Sequence, residues 1–251
     1  MKIGIIGTGA IGGTIAKKMV AAGHVVKVYN SNKADELKVR AEELGALPST
    51  IVDVVKDVDV VILSVPTLAI PSLPKDLFTN VPKNVIVVDT SNYYPFRDAE
   101  IEELKNGKVE SVWVSEQIGR PVIKAFNNLL AESLLNGAKE NSVDDRIAMA
   151  IAGDNNEAKK IISSMIDDIG FDVVDSGNLS DSWRQQPGTP AYCTELNIDE
   201  LKQALADGIK EDAPYLRDKA IAELSALPSY PSNKEVVDFN RKLFPKNPKL
   251  K

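Results

Sequence analysis

Over its first two thirds the chain repeats one pattern: a short apolar run, a polar or glycine-rich break, then apolar residues at helical spacing. Ile3 to Ile6 is followed by a glycine turn and by Thr14 to Val20, whose apolar positions fit one helix face. Val25 to Tyr29 predicts a second strand and Lys33 to Leu44 a second helix. The runs Asp59 to Pro66, Val85 to Asp89 and Pro121 to Phe126 are apolar without interruption, as parallel strands covered on both faces must be. Arg146 to Ala152 and Phe171 to Val174 add two more, around a helix from Asn156 to Ile169. Seven or so strands alternating with helices predict an α/β fold, a doubly wound and mostly parallel sheet over residues 1–180.

The texture then changes. Ser176 to Cys193 predicts a long loop, and long loops inside compact chains tend to be functional. Beyond it, Leu201, Ala204, Leu205 and Ile209 mark a helix that Pro214 interrupts, Leu216 to Leu227 marks a second and Val236 to Leu243 a third. Residues 181–251 are thus expected to be a loop plus a C-terminal helical extension, serving as an acceptor lid or a homodimer face, with Pro245 to Lys251 a loose terminus.

Charge narrows the partners. A formal net charge of -6 argues against nucleic acid or an anionic membrane surface, both of which need clustered positive charge. No apolar run approaches bilayer length and the chain opens on a strand instead of a signal sequence, so a cytoplasmic protein is expected. One cysteine, Cys193, and one histidine, His24, leave no Cys/His metal set, and no metal is expected.

The chemistry concentrates at strand ends. Gly7-x-Gly9-x-x-Gly12 lies between the first strand and first helix, the frame in which such glycines make a tight turn, admit a pyrophosphate and let helix pack on strand. A site for NAD usually places Asp or Glu after the second strand; this chain has Asn30-Ser31-Asn32-Lys33, donors and an ammonium that suit a 2′-phosphate and hence NADP(H). Ser31-Asn32 would equally cap the next helix. His24 precedes the second strand, on the edge opposite a nicotinamide, and reads as structural. Lys124 and Asn127 are the remaining candidates for catalysis: Lys124 is either a proton-transfer group or a structural or cofactor-contacting residue. The loop carrying Arg184, Gln185, Gln186, Tyr192 and Cys193 is the candidate lid over a second ligand, with Cys193 a packing residue.

Gly7-Thr-Gly-Ala-Ile-Gly12, Tyr29-Asn-Ser31, Leu63-Ser-Val-Pro66, Val122-Ile-Lys-Ala-Phe-Asn127 and Asp175-Ser-Gly-Asn-Leu179 together resemble the NADP oxidoreductases dependent on coenzyme F420. They are also similar to the cytosolic NADPH and flavin domain of six-transmembrane metalloreductases. The resemblance implies a Rossmann domain and places the pyrophosphate on Gly7, Thr8, Gly9, Ala10, Ile11 and Gly12. It places the 2′-phosphate on Ser31, Asn32 and Lys33 and the nicotinamide near Ser64, Val65, Pro66, Ala125, Phe126 and Asn127; Asn30 and Asn92, polar residues at the carboxyl ends of their strands, are further cofactor-binding candidates. It implies hydride transfer between NADP(H) and a second carrier, F420 or a flavin, or a small-molecule electron acceptor or donor. Two other activities fit the residues: a β-hydroxyacid-type dehydrogenase using Lys124, and a non-catalytic NADPH-binding sensor.

Overall fold

The computed structural model describes residues 1–140, 145–229 and 231–244. Its elements are β1 (Lys2–Ile6), α1 (Ala10–Ala21), β2 (Val25–Tyr29), α2 (Ala34–Leu44), β3 (Leu47–Pro48), β4 (Val60–Leu63), β5 (Ile86–Asp89), α3 (Pro95–Asp98), α4 (Glu102–Lys105), α5 (Glu110–Ile118) and β6 (Ile123–Lys124). They continue with α6 (Ala131–Asn136), β7 (Ala148–Ile151), α7 (Asn156–Asp168), β8 (Asp172–Asp175), α8 (Ile198–Asp207), α9 (Ala213–Ser225) and α10 (Asn233–Lys242). Turns of 3-10 helix span Thr67–Ser72 and Leu179–Gln185.

Six strands pair in parallel in the order β3-β2-β1-β4-β5-β6. Successive residues point to opposite faces of a strand, and here both faces are covered. Ile3, Ile5, Val60 and Ile62 pack with Ile15 and Met19 of α1 and with α7, whereas Val61, Leu63 and Val87 pack with Trp113 and Val114 of α5. This explains the uninterrupted apolar runs and fixes the doubly wound architecture.

The sheet does not continue unbroken, as the sequence led us to expect. β7 and β8 form a separate parallel pair, joined to the main sheet by one antiparallel bridge between Lys124 and Ala152. The two-residue β3 on the far edge was not anticipated, being too short to show a period. Helix α8 covers one face of the second sheet, with Leu201, Ala204 and Leu205 against Ala148, Ala150 and Val174. Its start is fixed by a reciprocal cap between Asn197 and Glu200.

Three further expectations need correction. Pro214 interrupts nothing: it lies in the first turn of α9, where its missing N–H has no intrahelical partner to lose. Ile209 falls between helices and is exposed. The supposed loop from Ser176 begins as a 3-10 helix started by a capping box, Asn178 with Asp181, and much of the rest is buried. α10 is held against this segment by Arg241, which donates to the carbonyls of Thr194 (2.7 Å) and Glu195 (2.9 Å). The terminus from Pro245 lies outside the described residues.

Candidate functional site

The strand order reverses between β1 and β4, and open α/β sheets bind ligands in the crevice at such a point. The glycine loop occupies that crevice. Gly7 has φ +102°, and a Cβ there would lie 2.1 Å from the Ser64 carbonyl oxygen; at Gly12 it would lie 2.1 Å from the Gly7 oxygen. These two glycines are required for the backbones of the β1 turn, α1 and β4 to approach. Gly9 differs, for nothing stands within 4 Å of its Cβ position. It caps α1 with no side-chain hydrogen bond, and the first turn carries no acidic residue, so the helix presents free N–H groups to the crevice.

At the end of β2, the Asn30 amide donates to Thr8 Oγ1 (2.7 Å), and Asn30 Oδ1 accepts from the backbone N–H of Asn32 (3.0 Å). Asn30 therefore ties the second strand to the glycine loop. Ser31, Asn32 and Lys33 remain exposed beside it, and Lys33 caps α2 without a side-chain bond. Asp35 and Glu36 in the first turn of α2 offset the positive helix end, which leaves Lys33 the cation at this position. Sequence reading missed Arg40. It lies seven residues past Lys33 on the same helix face, a spacing that could have exposed it, and its guanidinium would be 2.6 Å from a Cβ at Gly13.

Toward β5 and β6 a cleft of about 320 Å³ is lined by Gly9, Ala10, Ile11, Ser64, Val65, Pro66 and, opposite, by Asn92, Phe126, Asn127 and Tyr192. Nine of the cofactor positions nominated from sequence line this cleft: Gly9, Ala10, Ile11, Ser64, Val65, Pro66, Asn92, Phe126 and Asn127. Ser31, Asn32 and Lys33 stand exposed outside it. Ala125 is fully buried and donates its N–H to the Asp89 carbonyl (3.2 Å), leaving no surface toward a ligand. Phe126 has φ +62°, unfavourable for a bulky residue, and this turn ends the strand and brings Asn127 round to the cleft.

Asn127 heads a buried network. Its amide donates to Asn92 Oδ1 (2.9 Å) and to the Gln185 carbonyl (2.8 Å), while its own Oδ1 accepts from Gln185 Nε2 (2.9 Å). Asn92 in turn donates to the Asn127 carbonyl (3.0 Å) and reaches Tyr192 Oη at 3.4 Å. Tyr192 and Tyr94 share a hydroxyl–hydroxyl bond of 2.6 Å. Burial pushes both phenols well above their ordinary range and raises the Cys193 thiol to about 12, so Cys193 is no nucleophile.

Lys124 lies beneath this layer. Its side chain is fully buried, paired with Asp89 at 3.1 Å and bonded to the Ser91 carbonyl, and it does not line the cleft. Asp89 also accepts from Ser111 Oγ (2.6 Å). Nearby Glu110 accepts from the Tyr93 N–H (3.1 Å), and burial raises its carboxyl to about 7. The expected lid also needs revising. Arg184 faces away, stacked on Trp183 and donating to the Leu205 carbonyl (3.0 Å), and Gln185 is wholly buried; of that segment, Tyr192 reaches the cleft. His24 sits at the amino edge of the sheet, 3.0 Å from the terminal amine.

Residues 2–93 match the family profile of NADP oxidoreductases, coenzyme F420-dependent. The protein YjhV of Escherichia coli (strain K12) is 33% identical over 98 residues, covering 39% of this chain and 72% of that protein. The hypothetical protein SMa0349 of Sinorhizobium meliloti superposes with a TM-score of 0.66 at 30% identity, over 78% of this chain and 95% of that one. The chain belongs to this family of coenzyme F420-dependent NADP oxidoreductases. A structure from Arthrobacter sp. FB24, provisionally named an F420-dependent NADP-reductase, shares the fold at 17% identity, with a TM-score of 0.61 over 92% of this chain and 96% of its own.

NADP-dependent oxidoreductases need room for a pyrophosphate against backbone N–H groups, and the open space at Gly9 before the uncapped end of α1 fits that requirement. Among the described residues, no helix is long and apolar enough to cross a membrane.

Proposed function

We propose that this member of the family is an NADP(H)-dependent oxidoreductase passing a hydride between the nicotinamide and a second bound partner, either a deazaflavin or flavin carrier or a small substrate. The observation that carries the reading is the shape of the crevice. Gly7 and Gly12 are closed against backbone while Gly9 between them faces open space, which continues into the cleft ending at Asn92, Asn127 and Tyr192. Gly9, Ala10 and Ile11 would hold the pyrophosphate through N–H groups, and Ser31, Asn32 and Lys33 the 2′-phosphate. Ser64, Val65, Pro66, Phe126 and Asn127 would flank the nicotinamide, with Gly7, Thr8, Gly12 and Asn30 shaping the cradle.

Bound there, NADPH supplies a hydride equivalent of two electrons. The chain's own part is positioning and exclusion of water: the Asn92–Asn127–Gln185 network fixes the cleft wall without offering a free acid or base. No observation favours the β-hydroxyacid-type dehydrogenase, whose proton-transfer lysine would be Lys124, because that side chain has no exposed surface.

The test compares NADPH and NADH oxidation with a deazaflavin, flavin mononucleotide, flavin adenine dinucleotide and a carbonyl panel. NADPH should be preferred. Lys33→Glu should weaken NADPH binding by about tenfold, near 1.4 kcal/mol, and spare NADH, because it sets a like charge beside the 2′-phosphate. Equal losses for the two would refute the phosphate assignment. Tight NADPH binding with no acceptor reduced would put the sensor reading in its place.

A further inference from the structure

A second cavity, about 380 Å³, lies under α9 and α10 and shares Tyr94, Leu130 and Tyr192 with the cleft. Its walls are mainly apolar, with Leu130, Ala220, Ile221, Leu224 and Val236 prominent. Among the described residues lining it, Arg217 is the one cation, and its Nε donates to Asp218 (2.8 Å) while its guanidinium stacks over Tyr93. Two of its polar side chains are also engaged: Thr189 donates to the Gln186 carbonyl (2.8 Å) and Asn240 to the Cys193 carbonyl (3.3 Å). A flavin or deazaflavin brings a polar ring edge and an anionic tail, and burying these without partners is costly. A compact, neutral, mainly apolar molecule meets no such penalty.

The threshold supplies the polar group. Tyr94 and Tyr192 together carry two hydroxyl protons, and their mutual bond uses one. With Tyr94 donating, Tyr192 also receives the Asn92 N–H (3.4 Å), and its own proton is left beside the Cys193 thiol, a weak acceptor. A carbonyl oxygen is a stronger one.

We propose that the second cavity takes the body of a compact apolar ketone or aldehyde, and that the Tyr94–Tyr192 pair at its mouth protonates the carbonyl oxygen as the substrate is reduced. This rests on the NADP(H) reading above and names its second partner. In the step, the carbonyl carbon gains a C–H bond and two electrons from the reduced nicotinamide, which is oxidised, and the C=O π pair moves to oxygen. The Tyr192 O–H bond breaks and an alcohol O–H bond forms. Tyr192 then takes the Tyr94 proton through their shared bond, and Tyr94 is replenished from water. Both phenols keep their protons at neutral pH, as this role requires.

The test has a binding arm and a turnover arm, both on the full chain. Cyclohexanecarboxamide, an unreactive carbonyl, is titrated calorimetrically in the presence of NADP⁺; it should bind, and Leu224→Trp, which fills the cavity, should weaken it by about tenfold or more while leaving the NADP⁺ affinity unchanged. In turnover, cyclohexanone and benzaldehyde should be reduced with NADPH faster than flavin mononucleotide. Tyr192→Phe should lower kcat by about a hundredfold while the variant still folds and binds NADPH, with KM for the ketone changed far less than kcat. Tyr94→Phe, which breaks only the relay, should lower kcat less and diminish the solvent deuterium isotope effect. Turnover of a flavin alone or of no acceptor, unaltered amide binding in Leu224→Trp, or wild-type kcat in Tyr192→Phe would overturn the proposal. Failure to bind NADPH at all would instead overturn the reading on which it rests.

Discussion

The two ends of the cleft are built by opposite means. On the glycine side the partners are near in sequence: Asn30 bonds Thr8 across 22 residues, and the Gly7 N–H meets the Tyr29 carbonyl at 2.7 Å. On the tyrosine side they are remote, with Tyr94 and Tyr192 separated by 98 residues and Asn127 and Gln185 by 58. Two adjacent strands, one turn and one helix make the first end. The second exists once β5, β6, the 3-10 helix at Leu179–Gln185 and the C-terminal helices have all docked.

The strongest way to break this contrast is at Gly12. A valine there would drive Cβ to 2.1 Å from the Gly7 oxygen and 2.9 Å from Ser64 Cβ, so Gly12→Val should cost at least about a hundredfold in NADPH affinity, some 3 kcal/mol, or prevent folding. A folded variant with unchanged affinity in fluorescence titration would show that the local unit does not hold the cofactor.

Lys124→Met acts on the layer beneath the remote end. It leaves the buried Asp89 carboxylate with hydroxyl and amide donors but no cation, and urea denaturation should show a loss of about 3–5 kcal/mol. If stability and NADPH affinity instead survive while turnover with a hydroxyacid falls by orders of magnitude, Lys124 is a proton-transfer group after all.

The smallest effect is a pH dependence beside Tyr94. Burial raises the Glu110 carboxyl from its ordinary 4.5 to about 7, with the Lys124 ammonium pulling the other way. Between those values the native state holds a proton that the unfolded chain has released, so stability should fall as pH rises through that window, by up to about 3 kcal/mol. Glu110→Gln should flatten the profile measured by denaturation at pH 5 and 7. An unchanged slope would mean that the carboxyl is already ionised in the native protein.

The same contrast explains what the sequence revealed. The crevice, the order of β1, α1 and β2 and the exposed Ser31 to Lys33 follow from patterns a few residues long. Uninterrupted apolar runs likewise betrayed β4 and β5, because a strand covered on both faces has no polar position to spare. The separate β7–β8 sheet was invisible because its strands read like any other apolar run, and only pairing decides their neighbour. The sequence puts Gln185 and Tyr192 together in a candidate lid; Tyr192 reaches the cleft but Gln185 is buried, and no local rule shows a glutamine that its partners, Asn127 and Ala150, lie 58 and 35 residues away. Phe126 gave no warning either: a left-handed phenylalanine is imposed by its surroundings, not by its own preference.

Lys124 also sets the mechanics of the molecule. Its N–H and carbonyl make the bridge to Ala152 (2.8 and 3.0 Å), and its ammonium grips Asp89 at the end of β5 and the carbonyl of Ser91 on the cleft wall. Lys124 therefore serves both the seam between the two sheets, where Gln185 also bonds Ala150, and the wall of the cleft. Any tilt of the β7–β8 unit, with α8 riding on it, must be felt at Ser91 and Asn92 as a change in the width of the cleft.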